Sequence, residues 1–196
     1  MIITNALLSI GIGVVSNFCE LVHIPIVYAP KSINDVQSYV VGAPSSPIDL
    51  FLTGPMGVRF GVRDGSVYYF CSPGSLSHEQ DPSKLAQYTG EALLSSNQVV
   101  QVVSNTLVRL MKVKIPLSGV PRLREEGPYH GKPMPFVYVE WPNITPRNHV
   151  NAADVEVDER SGRIVFVHLL DDVFFDYDLG ERIRRQVTGV QGDERK

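Results

Sequence analysis

A chain of 196 residues, 43% apolar and 20% charged, has the composition of an ordinary globular protein. At this length it buries roughly 70% of its unfolded surface and needs neither metal nor disulfide to fold. With 18 Lys and Arg against 21 Asp and Glu the net charge is −3, which gives no electrostatic case for binding nucleic acid or an anionic membrane.

The charge is unevenly spread. In residues 1–58 Lys31 stands against Glu20, Asp35 and Asp49, whereas residues 154–196 hold 11 acids and 7 bases. The weakly charged front is either buried or turned toward a partner. Within it, Leu7, Leu8, Gly11, Val14, Val15, Phe18, Leu21 and Val22 recur at helical spacing, with Thr4 or Asn5 as cap. This predicts an amphipathic helix over 5–22 that His23-Ile24-Pro25 ends, because a residue before proline avoids the α region. Gly11 and Gly13 weaken it locally or let another element approach closely. They make a poor phosphate loop, since no strand precedes them and no lysine follows. Uncharged Ile2 to Val15 and the triplet Val27-Tyr28-Ala29 imitate a secretory leader. A basic start is missing, however, and Glu20, His23 and Pro25 interrupt the apolar run, so the segment reads as a core helix of the mature protein. No stretch nears the ~20 apolar residues that span a bilayer, so no integral membrane segment is expected.

Residues 28–57 are a connector rich in Pro, Ser and Gly, with a short helix expected around Ile33 to Tyr39. Val58 to Phe70 reads as a hairpin about Asp64-Gly65, and 72–90 as polar and irregular. Cys19 and Cys71 leave a single disulfide open; the plainer alternative is two buried thiols acting as small hydrophobes.

Leu94 to Met111 is the best-specified helix. Ser95 and Gln98 form a capping box, Leu94 can staple onto Val99, and Val99, Val100, Val103, Leu107, Leu110 and Met111 make one apolar stripe. A proline-bearing loop, 116–135, follows, with the charged run Arg122 to Glu126 inside it. Met134 to Trp141 is a strand, alternating Phe136, Tyr138, Glu140 with Val137, Val139, Trp141, and Pro142 stops it. Asn143 to Asn148 is a wide turn. Val150 to Leu169 is a hairpin: Ala153, Val155 and Val157 take one face, Asp154, Glu156 and Asp158 the other, and Gly162 closes the turn. Leu179 to Gln186 forms a short basic helix, and 187–196 a frayed tail.

The stretch 94–169 combines Ser95-Ser96-Asn97-Gln98-Val99 at a helix start, Tyr138-Val139-Glu140 on a strand and Val155 to Ile164 at the last turn. In this it resembles the PepSY-type module of protease propeptides and of many secreted or envelope bacterial proteins. The resemblance implies an α+β, cystatin-like second half and a role in binding, inhibition or scaffolding, often outside the cytoplasm. It brings no catalytic residue and no cofactor. If helix 5–22 and hairpin 58–70 repeat the plan, the chain is two degenerate α+β units sharing one core.

Candidates for chemistry are sparse. Asp171, Asp172, Asp176 and Asp178 are weak metal candidates, because Val173-Phe174-Phe175 interrupts the close ligand spacing that calcium needs; a solvated acidic edge around an apolar plug explains them better. His23, His78, His130, His149 and His168 form no metal-ligand pair. Ser75 lies near His78, but sequence adjacency is not a triad. Strand aromatics could stack bases, yet no basic groove accompanies them, and they read as core and cross-strand pairs.

The expectation is therefore an α+β fold, helices packed on antiparallel sheet. It divides into a helix-plus-hairpin unit (1–90), a PepSY-like unit (91–180) and a C-terminal helix with tail (181–196). The leading function is a non-catalytic protein- or peptide-binding module. An exposed edge strand, Phe136–Trp141 or Ile164–Leu169, would accept an extended segment through Phe136, Tyr138, Glu140, Trp141, Phe166 and His168. The alternatives are a hydrolase using loop histidines and carboxylates, and a purely structural, envelope-associated domain. Oligomeric state is not legible.

Overall fold

The computed structural model describes residues 2–31, 36–41, 48–77, 79, 81–145 and 151–188. The chain runs helix α1 (Ile2–Val22), strands β1 (Val36–Val41), β2 (Ile48–Thr53), β3 (Arg59–Arg63) and β4 (Ser66–Cys71). Helix α2 (Ser96–Leu110), strands β5 (Arg122–Glu125), β6 (Phe136–Trp141), β7 (Ala153–Asp158) and β8 (Arg163–Leu169), and helix α3 (Tyr177–Thr188) follow. All eight strands form one antiparallel sheet in the order β1-β2-β3-β4-β8-β7-β6-β5. The α+β architecture expected from the sequence is the observed one.

That order is a helix followed by a four-strand meander, twice, with the last strands of the two meanders paired. The register carries the repeat further. In β3–β4 the pairing slips between Gly61 and Val62, leaving Tyr68 as an extra residue, and in β7–β8 it slips between Glu156 and Val157, leaving Val165 extra. Each bulge falls at the third residue of its strand. Counted from there, Phe70 and Val167 are equivalent, and these two pair directly across the β4–β8 seam. A local pseudo-two-fold axis through that pair accounts for the whole strand order.

Helix α1 lies against β3 and β4 and touches α2 and α3. Val15, Phe18, Cys19 and Val22 are buried beneath it. Gly11 marks its close approach to the sheet: an added Cβ would meet Leu50 Cδ1 at 3.0 Å, while Gly13 has open space. The helix ends in a Schellman motif, with Ile24 N–H donating to Cys19 O (2.8 Å) and His23 N–H to Glu20 O (3.2 Å). His23 takes the positive φ, 60°, that glycine usually supplies. Helix α2 starts at its capping box, where Gln98 Oε1 accepts from Ser95 N–H and Ser95 Oγ–H. Four valines in its first turns cost about 2 kcal/mol of helix propensity. Burying Val99, Val103, Leu107 and Leu110 recovers about 1.5–3 kcal/mol apiece, so packing decides the matter.

Three expectations change. The helix around Ile33 to Tyr39 is not observed: Val36–Val41 is strand β1, paired with β2, and Ile33 to Asp35 lie outside the described residues. The β-branched and aromatic residues there serve a sheet edge better than a helix. The charged run after Arg122 is not loop but strand β5, paired along β6. The four aspartates surround the buried Val173-Phe174-Phe175 as expected, but they are not uniformly a solvated edge: Asp178 is exposed, Asp172 and Asp176 half-buried. Asp171 is fully buried and accepts from Ile144 N–H (3.0 Å), Thr145 N–H (2.9 Å), Thr145 Oγ (2.7 Å) and Val173 N–H (3.3 Å). Asp172 accepts from Tyr177, Asp176 caps α3 through Leu179 N–H, and Asp178 occupies the first turn of α3. Among the described residues no three His, Cys, Asp or Glu group as metal ligands, and no helix is long and apolar enough to cross a membrane. Cys19 and Cys71 are free buried thiols, Cys19 pushed up to about 11 by burial. The tail beyond Thr188 lies outside the described residues.

Candidate functional site

The helices cover one sheet face with Val62, Phe60, Phe70, Val167, Val155 and Val139. Two cross-strand rows fill the other face. The first reads Arg122–Glu140–Asp154–His168–Tyr69–Gly61–Phe51, from β5 to β2. The second reads Arg124–Tyr138–Glu156–Phe166–Cys71–Arg59–Thr53.

A roof covers the middle of the second row. Glu156, fully buried, accepts from Ser75 Oγ (2.6 Å), Leu76 N–H (2.9 Å), Ser77 Oγ (3.2 Å) and Tyr138 OH (2.9 Å), and Ser77 also bonds Tyr138. These bonds pin the turn 72–77 to the sheet. A 3-10 segment, Pro82–Tyr88, continues the roof, with Tyr88 edge-on to Phe136 at 5.7 Å and bonded to Pro73 O. Glu156 lies on the polar face as the alternation predicts, but the roof removes it from water. Burial pushes the Cys71 thiol up, and Ser75 has no exposure, so neither is placed as an accessible nucleophile.

Among the described residues no such cover lies over the first row. The ring neighbours of Tyr69 and His168 are all strand residues: Tyr69 meets Phe166 at 5.5 Å and His168 at 6.1 Å, and His168 meets Tyr68 at 6.2 Å and Phe166 at 6.5 Å. The bulge turns Tyr68 and Tyr69, successive residues, to this same face. Tyr68 lies down over Gly61, where a Cβ would come within 2.8 Å of its ring, and meets Phe51 edge-on at 6.5 Å. Arg63 stacks on Tyr68 and Arg124 on Tyr138, at 4.7 and 4.1 Å. Phe51 is 39% exposed; Tyr68, Tyr69, His168, Asp154 and Glu140 are half-buried.

The row is electrostatically graded. Arg124 Nε donates to Glu140 (3.3 Å), and Arg122 adds a second guanidinium 3.9 Å from it. Asp154 accepts from Asn151 Nδ2 (2.8 Å) and makes no ion pair among the described residues. Burial first, then Glu140 opposite, push its carboxyl above the ordinary aspartate range despite the Asn151 bond. Burial holds the His168 imidazole below its ordinary value, so it is neutral at pH 7. Among the described residues this leaves Arg124, which makes no ion pair with Asp154, as the positive charge acting on it. Burial, with Cys71 adding, pushes the Tyr69 hydroxyl up to about 12, which keeps it a neutral donor.

The edge-strand expectation fails on topology. Strand β6 is flanked by β5 and β7, and β8 by β4 and β7; the edges are β1 and β5. Both strands have two paired neighbours: β5 closes β6 from the same half, and β4, from the first half, pairs with β8, which local patterning cannot reveal. Of the six side chains expected there, Tyr138, Glu140, Phe166 and His168 share the far face. Phe136 lies under Tyr88, and Trp141 turns to the helix side, its Nε1–H donating to Ser118 O (3.1 Å). The sequence reading missed Phe51, Tyr68, Tyr69 and Asp154. Strict alternation assigns Tyr68 and Tyr69 to opposite faces, and the doubled tyrosine after Asp64-Gly65 was the one available sign of a bulge.

His23 and His130 do not join this site. His23 touches Arg109, His130 stacks on Tyr129 at 4.3 Å, and His78 and His149 lie outside the described residues. Compared with known protein families, with curated proteins and with solved structures, the chain finds no match.

Proposed function

We propose that this chain is a non-catalytic binding module whose open sheet face takes a protein segment bearing a basic side chain beside apolar ones. The observation that carries the reading is the row Asp154–His168–Tyr69–Tyr68–Phe51, which no described segment roofs: a carboxylate that makes no ion pair among the described residues, next to four half-exposed rings. Six strands from β2 to β6 at ~4.8 Å spacing make a face roughly 24 Å wide. A flat surface that wide suits a polypeptide, whereas small molecules favour concave sites. Its composition, tyrosine, phenylalanine and arginine with no lysine in either row, is that of interface centres. The PepSY resemblance of residues 94–169 supports binding, inhibition or scaffolding, and with it a place outside the cytoplasm. The helix-then-meander order of that half accords with it.

A hydrolase finds less support. His168 faces Asp154, but among the described residues its ring neighbours are Tyr68, Tyr69 and Phe166, and the thiol nearest this group, Cys71 beside Tyr69, is fully buried and pushed up by burial.

The test is selection from displayed random peptides against the wild-type chain, with recovered binders measured again on Tyr69→Ser and Asp154→Asn. Recovered peptides should combine Arg or Lys with aromatic or branched residues. Each substitution should weaken them at least about tenfold, as interface hot spots do. Binders that ignore both substitutions, or no binder tighter than about 1 mM, would sink the reading.

A further inference from the structure

A cavity of about 300 Å³ opens on the other side of the sheet, between the C-terminal end of α1 and helix α2. Its floor is apolar: Val22, Ile24, Phe70 and Ile164 are buried core residues, and Val102 and Tyr28 complete the wall. Its rim is cationic. Arg109 from α2 and Arg163 from the start of β8 both line it with exposed side chains, as does His23 from the Schellman turn. Among the described residues no carboxylate lines the cavity and neither guanidinium makes an ion pair.

The local chemistry sharpens the preference. Arg109 donates to His23 Nε2, because a guanidinium can only donate; the imidazole proton is thereby placed on Nδ1, leaving a further donor at the rim. Ser72 Oγ accepts from Gly74 N–H (3.2 Å) and keeps its own hydrogen, while Thr106 spends its hydroxyl on Val102 O (2.9 Å). The rim therefore offers donors and positive charge over a greasy base. A second cavity along the middle of α1, about 360 Å³, has no such bias, because Asp176 accompanies Lys112 in its lining.

We propose that the α1–α2 cavity binds a small amphipathic carboxylate, its apolar body on Phe70, Ile24 and Ile164 and its head held by Arg109 and Arg163. A guanidinium pair matches a carboxylate fork geometrically as well as by charge. The volume admits roughly ten non-hydrogen atoms at the ~30 Å³ that a water molecule occupies in the liquid. This site is separate from the open sheet face, and its occupancy does not depend on a protein partner there.

The probe is octanoate, with 1-octanol as the uncharged control of equal chain length. Titration followed by isotope-edited NMR on the full chain should give one saturable octanoate site, with shifts at Val102, Ile164 and Arg163. Octanol should bind at least about tenfold more weakly, the weight of a charge-assisted bond. Arg109→Gln and Arg163→Gln, both on exposed side chains that leave the core intact, should each weaken octanoate by a similar factor and leave octanol unchanged. Val102→Trp, which fills the cavity from its wall, should abolish both. Equal binding of octanoate and octanol overturns the proposal. So does octanoate binding that survives the arginine substitutions, or no saturation by about 10 mM.

Discussion

Asp171 illustrates how one side chain can join two segments. It holds the backbone of Ile144 and Thr145, the Thr145 hydroxyl and the start of the short helical turn at Val173. Burial alone would raise its carboxyl, but the Thr145 hydroxyl and the three backbone donors together bring it below the ordinary aspartate range. Asp171→Asn exchanges an acceptor oxygen for a donor among these groups and should cost about 2–3 kcal/mol at pH 7, read from urea unfolding. The sign of the pH dependence follows from the depressed value. The contribution is complete above the unfolded value near 3.9 and is lost as pH falls through the lower folded value. The gap between wild type and Asp171→Asn should therefore be constant above about pH 5 and close below about pH 4. A gap that persists unchanged into acid would mean the carboxylate is not the origin of the cost. In sequence this residue looked like one of four equivalent acids, because what distinguishes it is the approach of Thr145, 26 positions away.

Among the elements, those set by neighbouring residues were legible. The Ser95–Gln98 box places the start of α2, Asp64-Gly65 makes the β3–β4 turn with φ of 45° and 70°, and alternation predicts that Val155 and Val157 face the core, where both are fully buried. Strand β1 and strand β5 were not legible, since a sheet edge needs its neighbour before its pattern has meaning. Helix α3 shows a different dependence. Gly180 packs so closely on the β3–β4 turn that an added Cβ would lie 2.8 Å from Asp64 Cβ and 2.9 Å from Asp64 Cα. One of those atoms is backbone, so the helix must move. Gly180→Ala would gain up to about 1 kcal/mol if helix propensity ruled. Overpacking against a fixed turn should instead win, with a net loss of about 1–2 kcal/mol. Chemical denaturation decides between the two signs, and a stabilised Gly180→Ala would show that α3 is not seated on the turn.

For the whole molecule, the β4–β8 seam and the shared core make two similar halves interdependent. The chain should unfold in one cooperative step. Trp141, the single tryptophan, reports on the second half, and the buried thiols Cys19 and Cys71 report on the first. Tryptophan fluorescence and thiol reactivity should give coincident urea midpoints, whereas separated midpoints would show that each half folds alone. Composition, periodicity and turn chemistry by themselves determined the α+β class, the long helices and the paired strands of the second half. These depend on interactions within about ten residues, which sequence spacing encodes directly. Only tertiary structure decided that β4 would close on β8 and make the expected edges interior. It alone decided that a roof would bury Glu156, that the β3–β4 bulge would bring Tyr68 and Tyr69 to one face, and that Arg109 and Arg163 would line one cavity. Each of those depends on segments far apart in the chain, and their pairing is chosen by the free energy of the assembled sheet and core.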